Sequence, residues 1–202
     1  GHIMEGDEVL GIVALDWIRK GLLAECTVVG TVQCNAGLDA TLKKAGGQLV
    51  RTEVGDRPVT QRMFEDGLNF GGEPSGHFVF RDCLPTGDGL IAALQLLNIR
   101  LGTGCPLAQL RQDVSLFSQA LANLRVSEKL PLDSLPAFQE ELAGIVRLLA
   151  EDGRVLVRYS GTERKVRLLA DGRTEALARQ TMESLLDLAR NYLNTVDNAV
   201  GK

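Results

Sequence analysis

Residues 158–167 read Arg-Tyr-Ser-Gly-Thr-Glu-Arg-Lys-Val-Arg, four cations around a Ser-Gly-Thr turn that carries one acid, Glu163. An arginine fork matches two oxygens of a phosphate, and charge-assisted bonds of this kind are stronger than neutral ones. Arg158 and Arg167 could supply such forks, Ser160 and Thr162 hydroxyl donors, and Gly161 a turn whose N–H groups face an anion. Ser-Gly is also ordinary turn chemistry, so residue types alone leave an anion site and a solvated hairpin tip equally open. A second constellation, Gly71-Gly-Glu-Pro-Ser-Gly-His77, brackets a carboxylate, a hydroxyl and an imidazole with glycines. Glu73 could accept from two vicinal hydroxyls and Ser75 could add a third contact; a plain turn is the alternative. Three neighbours in one turn rarely adopt triad geometry, which argues against a nucleophilic Ser75–His77 pair. Val54-Gly-Asp-Arg57 ends one expected strand and opens a helix, with Asp56 as its N-cap or, with Arg57, part of an active-site loop. Thr86-Gly-Asp-Gly89 reads as a helix cap. The acids are too dispersed to gather hard ligands, so no metal site is expected in this chain.

The chain of 202 residues has room for one large or two small domains and needs no disulfide staples. Its net charge of −4 speaks against a general nucleic-acid or membrane-surface binder, so any anion site must be local. Cys26, Cys34, Cys83 and Cys105 show no paired spacing, and the two histidines are His2 and His77, which makes zinc improbable. Scattered cysteines without a secretory signal fit a reducing cytoplasm. No apolar run approaches membrane-spanning length. Gly1–Met4 reads as a tag and cloning remnant, so the native segment is expected to begin at Glu5, as part of something longer.

The elements that must position these loops follow from periodicity. Asp7 is expected to cap a helix ending near Gly21. A strand over 26–32, a helix over 37–45 and a strand over 48–54 follow. A weak helix over 59–64, short strands near 68–70 and 77–80, and a helix over 88–101 complete the first half. That last helix is read as amphipathic, with Leu90, Ile91, Leu94, Leu97 and Ile99 on its apolar face. Alternation of helix and strand every dozen residues predicts a layered α/β/α domain with a mixed sheet. Gly102-Thr-Gly-Cys-Pro106 lacks the strand and third glycine of a dinucleotide loop and reads as a linker. Beyond it, 115–126 suits a strand or a poor helix, 136–150 a helix, and two strands flank the basic loop before a helix over 174–193. The order β-α-β-β-α predicts a smaller α+β domain with helices on one face of a mainly antiparallel sheet. The domain boundaries expected are 5–104 and 105–202.

Gly-Glu-Pro-Ser-Gly-His (72–77) resembles the sugar-recognition loop G-E-x-S-G-H of the α-D-phosphohexomutases, and Arg-Tyr-Ser-Gly-Thr-Glu (158–163) resembles their phosphate loop R-P-S-G-T-E-P. Val-Gly-Thr-Val (29–32), Val-Gly-Asp-Arg (54–57) and Thr-Gly-Asp-Gly (86–89) are similar to the bacterial phosphoglucosamine mutase branch. The resemblance implies four domains in the whole enzyme, with the third and fourth here and no catalytic residue among them. The phosphoserine and the magnesium loop would lie in the first two. It implies interconversion of glucosamine 6-phosphate and glucosamine 1-phosphate through a sugar bisphosphate, toward UDP-N-acetylglucosamine. By that analogy Arg158, Ser160, Gly161, Thr162 and Arg167 grip the non-reacting phosphate. Glu73 and Ser75 hold sugar hydroxyls, and His77 orients its loop. The implied partners are a phosphosugar and the missing domains, with a homodimer of the full-length enzyme left open. Glucose or mannose phosphates, or a non-enzymatic phosphosugar-binding module, remain as alternatives. Three departures stand out. Tyr159 replaces a proline, Arg164-Lys165 add cations expected to strengthen phosphate attraction, and Pro74 stands where an amide is commoner.

Overall fold

The computed structural model describes residues 3–196; Gly1 and His2 of the expected cloning remnant lie outside them. The chain divides into two compact units, residues 1–116 and 117–202. The first unit runs α1 (Gly6–Lys20), β1 (Thr27–Thr31), α2 (Ala36–Lys44), β2 (Gln48–Thr52), α3 (Asp56–Glu65), β3 (Phe70–Gly72), β4 (Phe78–Phe80), α4 (Gly89–Thr103) and the short α5 (Leu107–Leu110). Its sheet has the order β2-β1-β3-β4, with β1 parallel to β2 and β3, and β4 antiparallel to β3.

Strand alternation explains the layers. Val28, Phe70, Phe78 and Phe80 join α1, α2 and α4 in one apolar cluster, while their neighbours Val29 and Val79 join Val59 and Met63 of α3 in another. Trp17 of α1 packs on Phe70 and Phe80 with ring centroids 5.5 and 5.7 Å away. The central β1 is buried along its whole length, Thr27 and Thr31 included, so it lacks the polar alternation of a half-exposed strand. The expected mixed α/β/α layering is therefore present.

Three local expectations change. The N-cap of α1 is Glu5, not Asp7. Glu5 N donates to Glu8 Oε2 at 2.9 Å, and the buried Asp7 carboxylate instead accepts from Asn35 N at 3.3 Å, linking α1 to the start of α2. On α4 the buried positions are Ala92 and Ile99, whereas Leu90, Leu94, Leu97 and Leu101 are exposed; the helix is apolar all round, so composition could not say which stripe faces the sheet. The residues after Gly104 sit with the first unit, since Leu110 and Val114 enter its core and Arg111 pairs with Glu8 at 2.8 Å. The division accordingly falls after Leu116 rather than at 104.

The second unit runs β5 (Ser118–Arg125), α6 (Pro136–Leu149), β6 (Gly153–Tyr159), β7 (Lys165–Gly172) and α7 (Glu175–Tyr192). The segment that suited strand or helix is strand β5, and its sheet is wholly antiparallel in the order β5-β7-β6. Ala120, Ala122, Leu124, Val155, Val157, Val166, Leu168 and Ala170 pack against Phe138 of α6 and Leu185 and Leu188 of α7. Both helices cover one face, as expected. The alternate residues Arg125, Arg158, Lys165 and Arg167 share the other face at the end that carries the loop. No single helix among the described residues is long and apolar enough to cross a membrane.

Candidate functional site

The sugar-loop candidates sit on the β3–β4 hairpin. Glu73 N donates to His77 O at 2.9 Å and Gly76 N to Glu73 O at 3.0 Å, closing a tight turn. That turn buries Glu73, while Ser75 and His77 stay exposed at its tip. Ser75 Oγ lies 3.2 Å from His77 Nδ1, so the imidazole and the hydroxyl hold each other. The carboxylate has a partner that sequence reasoning missed: Gly55 N donates to Glu73 Oε1 at 2.8 Å. Gly55 can present that N–H because its φ is 131°, a region that side chains rarely adopt. It is also the N-cap of α3, so Asp56 is the first helical residue and not the cap expected for it. Asp56 Oδ1 accepts from Arg57 N at 2.8 Å, and both side chains are exposed. Asp88 does cap α4, accepting from Ile91 N at 2.9 Å.

The turn is held from behind as well. Gly6, the first residue of α1, lies so close to the Pro74 and Glu73 carbonyls that a methyl group there would collide with backbone atoms. Gly6→Ala is expected to cost about 1–3 kcal/mol of stability, as overpacking does, because the neighbour is backbone and cannot swing away. Chemical denaturation of the two proteins checks this; unchanged midpoints would show that the turn can move freely.

The basic loop joins β6 to β7 in the second unit. Ser160 is 2% exposed, and its Oγ accepts from Glu163 N and Arg167 Nη2, both at 3.4 Å. Arg158 and Arg167 are directly opposed across the two strands. Gly161 and Thr162 are exposed at the tip. Lys129, which precedes α6, donates to Ser160 O at 2.6 Å and to Gly161 O at 3.2 Å. The N–H groups of Gly161 and Thr162 have no acceptor among the described residues. Successive N–H groups without an acceptor, close to arginines, can bind an anion where they point the same way.

The departures are partly spent inside the protein. Lys165 Nζ is 2.6 Å from Glu163 Oε1, and Arg164 Nη1 donates to Ser127 O at 3.2 Å. The two added cations therefore brace the loop instead of standing free, which differs from the expected gain in phosphate attraction. The Lys165 hydrogen bond and charge, aided by Arg167, hold the Glu163 carboxyl below its ordinary range. Its ion pairs are intact above the ordinary carboxylate range and are lost as pH falls through the lowered value. Tyr159, where the resemblance has proline, extends β6 by pairing with Val166, and its ring joins the second core.

Among the described residues no three His, Cys, Asp or Glu side chains gather to hold a metal ion. Cys34 is fully buried, and burial, with Asp7 adding repulsion, pushes its thiol up to about 12. Cys83 is exposed. Thiolate, not thiol, is the reactive form. A disulfide reagent at pH 8 is thus expected to modify Cys83 quickly and Cys34 only after denaturation; fast labelling of Cys34 in the folded chain would contradict its placement.

Comparison with known proteins agrees with two successive domains of one family. Residues 5–117 match the family model described as phosphoglucomutase/phosphomannomutase, alpha/beta/alpha domain III, and residues 121–188 match the C-terminal domain of the same family. A phosphoglucosamine mutase of Anaeromyxobacter sp. (strain Fw109-5) is 44% identical over 96% of this chain and 41% of its own length. One from Syntrophotalea carbinolica is 41% identical over 96% of this chain and 42% of its own. The chain thus spans about two fifths of the curated relatives it matches. Among solved structures, Aspergillus fumigatus N-acetylphosphoglucosamine mutase in complex with GlcNAc-6P and magnesium is similar with a TM-score of 0.76 and 17% identity. That match covers 93% of this chain and 47% of the fungal one. A phosphoglucomutase/phosphomannomutase family protein of Burkholderia thailandensis gives 0.73 and 20%, over 96% of this chain and 44% of its own. Both carry the fold alone at such identity. Two successive family domains leave one assignment: the chain belongs to the phosphoglucomutase/phosphomannomutase family and carries its third and fourth domains.

Proposed function

We propose that this chain is the substrate-recognition half of a phosphoglucosamine mutase, which interconverts glucosamine 6-phosphate and glucosamine 1-phosphate in the cytoplasm for UDP-N-acetylglucosamine and cell-wall synthesis. The observation that carries the reading is the pair of unpartnered N–H groups at Gly161 and Thr162, at the end of the two strands on which Arg158 and Arg167 face each other. The names of the 44% and 41% identical relatives favour the glucosamine branch over glucose or mannose phosphates.

In this reading the loop of the second unit holds the phosphate that is not reacting. Arg158 and Arg167 approach its oxygens through forked N–H groups, and the two backbone N–H groups fix its orientation. Glu73 keeps one oxygen on Gly55 N and offers the other to sugar hydroxyls, with Ser75 beside it. The same contacts serve both orientations of a bisphosphate intermediate, because they grip whichever phosphate lies distal. His77 steadies Ser75. The phosphoserine belongs to the domains that the relatives carry beyond this chain. So does magnesium, which when bound neutralises charge at the reacting phosphate. Those domains are this chain's first partner, and the chain by itself is not expected to turn over. The test is to join it to the first two domains of the Anaeromyxobacter relative. Turnover of glucosamine phosphates well above glucose phosphates is expected; a clear preference for glucose 1-phosphate would defeat the substrate assignment.

A further inference from the structure

We infer that Lys129 is a positioning residue of the phosphate loop, turning the N–H edges of Gly161 and Thr162 toward the anion by holding their peptide carbonyls from behind. This rests on the phosphate reading of that loop. The ammonium donates to two successive carbonyls, Ser160 O at 2.6 Å and Gly161 O at 3.2 Å. A trans peptide is planar, with N–H and C=O on opposite edges. The N–H of Gly161 shares a peptide with Ser160 O, and the N–H of Thr162 shares one with Gly161 O. Holding both oxygens on one side therefore presents both hydrogens on the other.

The anchor is itself tied down. Val126 N donates to Arg164 O at 3.0 Å, Arg164 Nη1 donates to Ser127 O at 3.2 Å, and Ser127 N donates to Asn194 O at 2.9 Å. The segment that bears Lys129 is thus bound both to the loop and to the chain that leaves α7. At the tip itself Gly161 meets no neighbour where a Cβ would be, and Gly161 and Thr162 are exposed. An exposed tip without such an anchor would sample many peptide orientations, and phosphate would have to select one. Lys129 also explains how a loop carrying this much positive charge accepts one more cation nearby: the ammonium is spent on carbonyl dipoles.

The test is an amide 15N–1H titration of the 202-residue chain with inorganic phosphate, on wild type, Lys129→Met, Lys129→Arg and Arg158→Ala. In the wild type, the Gly161 and Thr162 amide signals are expected to move saturably. Lys129→Met should displace both signals before phosphate is added and weaken binding by about tenfold, the low end for one charge-assisted bond. Lys129→Arg should restore both signals and affinity, since a guanidinium can also donate to two carbonyls. Unchanged signals outside 126–130 and 158–165 report that each variant is folded. Wild-type amide positions and affinity in Lys129→Met, alongside weakened binding in Arg158→Ala, would overturn the role of Lys129 alone. No saturable movement of Gly161 and Thr162 in the wild type would overturn the phosphate reading and this inference with it.

Discussion

Arg158→Ala, in the chain joined to the first two domains of its Anaeromyxobacter relative, is expected to lower kcat/KM for glucosamine 6-phosphate by about tenfold to a hundredfold. That range follows from losing one forked, charge-assisted contact of about 1.5–3 kcal/mol. In the proposed reading the contact serves both binding orientations, so the loss should be similar in the forward and reverse directions. Arg158 lies on β6 opposite Arg167, on the face of the sheet that the helices leave uncovered. Removing it takes away charge without opening the apolar core. Arg158→Lys should recover only part of the loss, because an ammonium cannot match two oxygens at once. Steady-state kinetics in both directions, with the phosphoserine content and magnesium dependence as controls, decide it. Unchanged kcat/KM would remove Arg158 from the clamp.

The second large effect is expected at Glu73. Glu73→Ala deletes the acceptor of the Gly55 N–H and leaves that donor without its partner, which costs about 1–3 kcal/mol of folding stability. It also removes the carboxylate offered to the sugar, so kcat/KM should fall by about a hundredfold or more, as expected for losing two charged hydrogen bonds. Glu73→Gln separates the two roles. Its amide oxygen can still accept from Gly55, so stability should return close to wild type while catalytic efficiency remains depressed. Equal recovery of both in Glu73→Gln would show that the carboxylate only supports the turn.

Local elements were legible because their signals are local. The apolar run of β1, the Asp88 cap and the glycine-flanked hairpin at 71–77 depend on neighbours a few residues away. The choice of strand for 118–125 was not legible, since Leu121 and Leu124 stand three apart as on a helix face while Ala120, Ala122 and Leu124 alternate as in a strand; pairing with all eight residues of β7 settled it. The buried stripe of α4 was misjudged for a similar reason, because leucines occur around the whole helix. At the site, residue types pointed to Glu73 and the 158–167 loop, but their supports were hidden. Gly55 stands 18 residues from Glu73, and Lys129 stands 31 and 32 residues from the carbonyls it binds. Nothing in either stretch marks such a bond until the chain is folded. The same holds for Arg164 and Lys165, whose charges look available in sequence and are engaged by Ser127 and Glu163 in the structure.

The most direct measurement is a crystal structure of the joined four-domain enzyme with a glucosamine bisphosphate bound. One phosphate is expected on the Gly161 and Thr162 N–H groups and the Arg158 guanidinium, with sugar hydroxyls on Glu73 and Ser75. A bisphosphate whose phosphates both lie away from residues 158–167 would contradict the account.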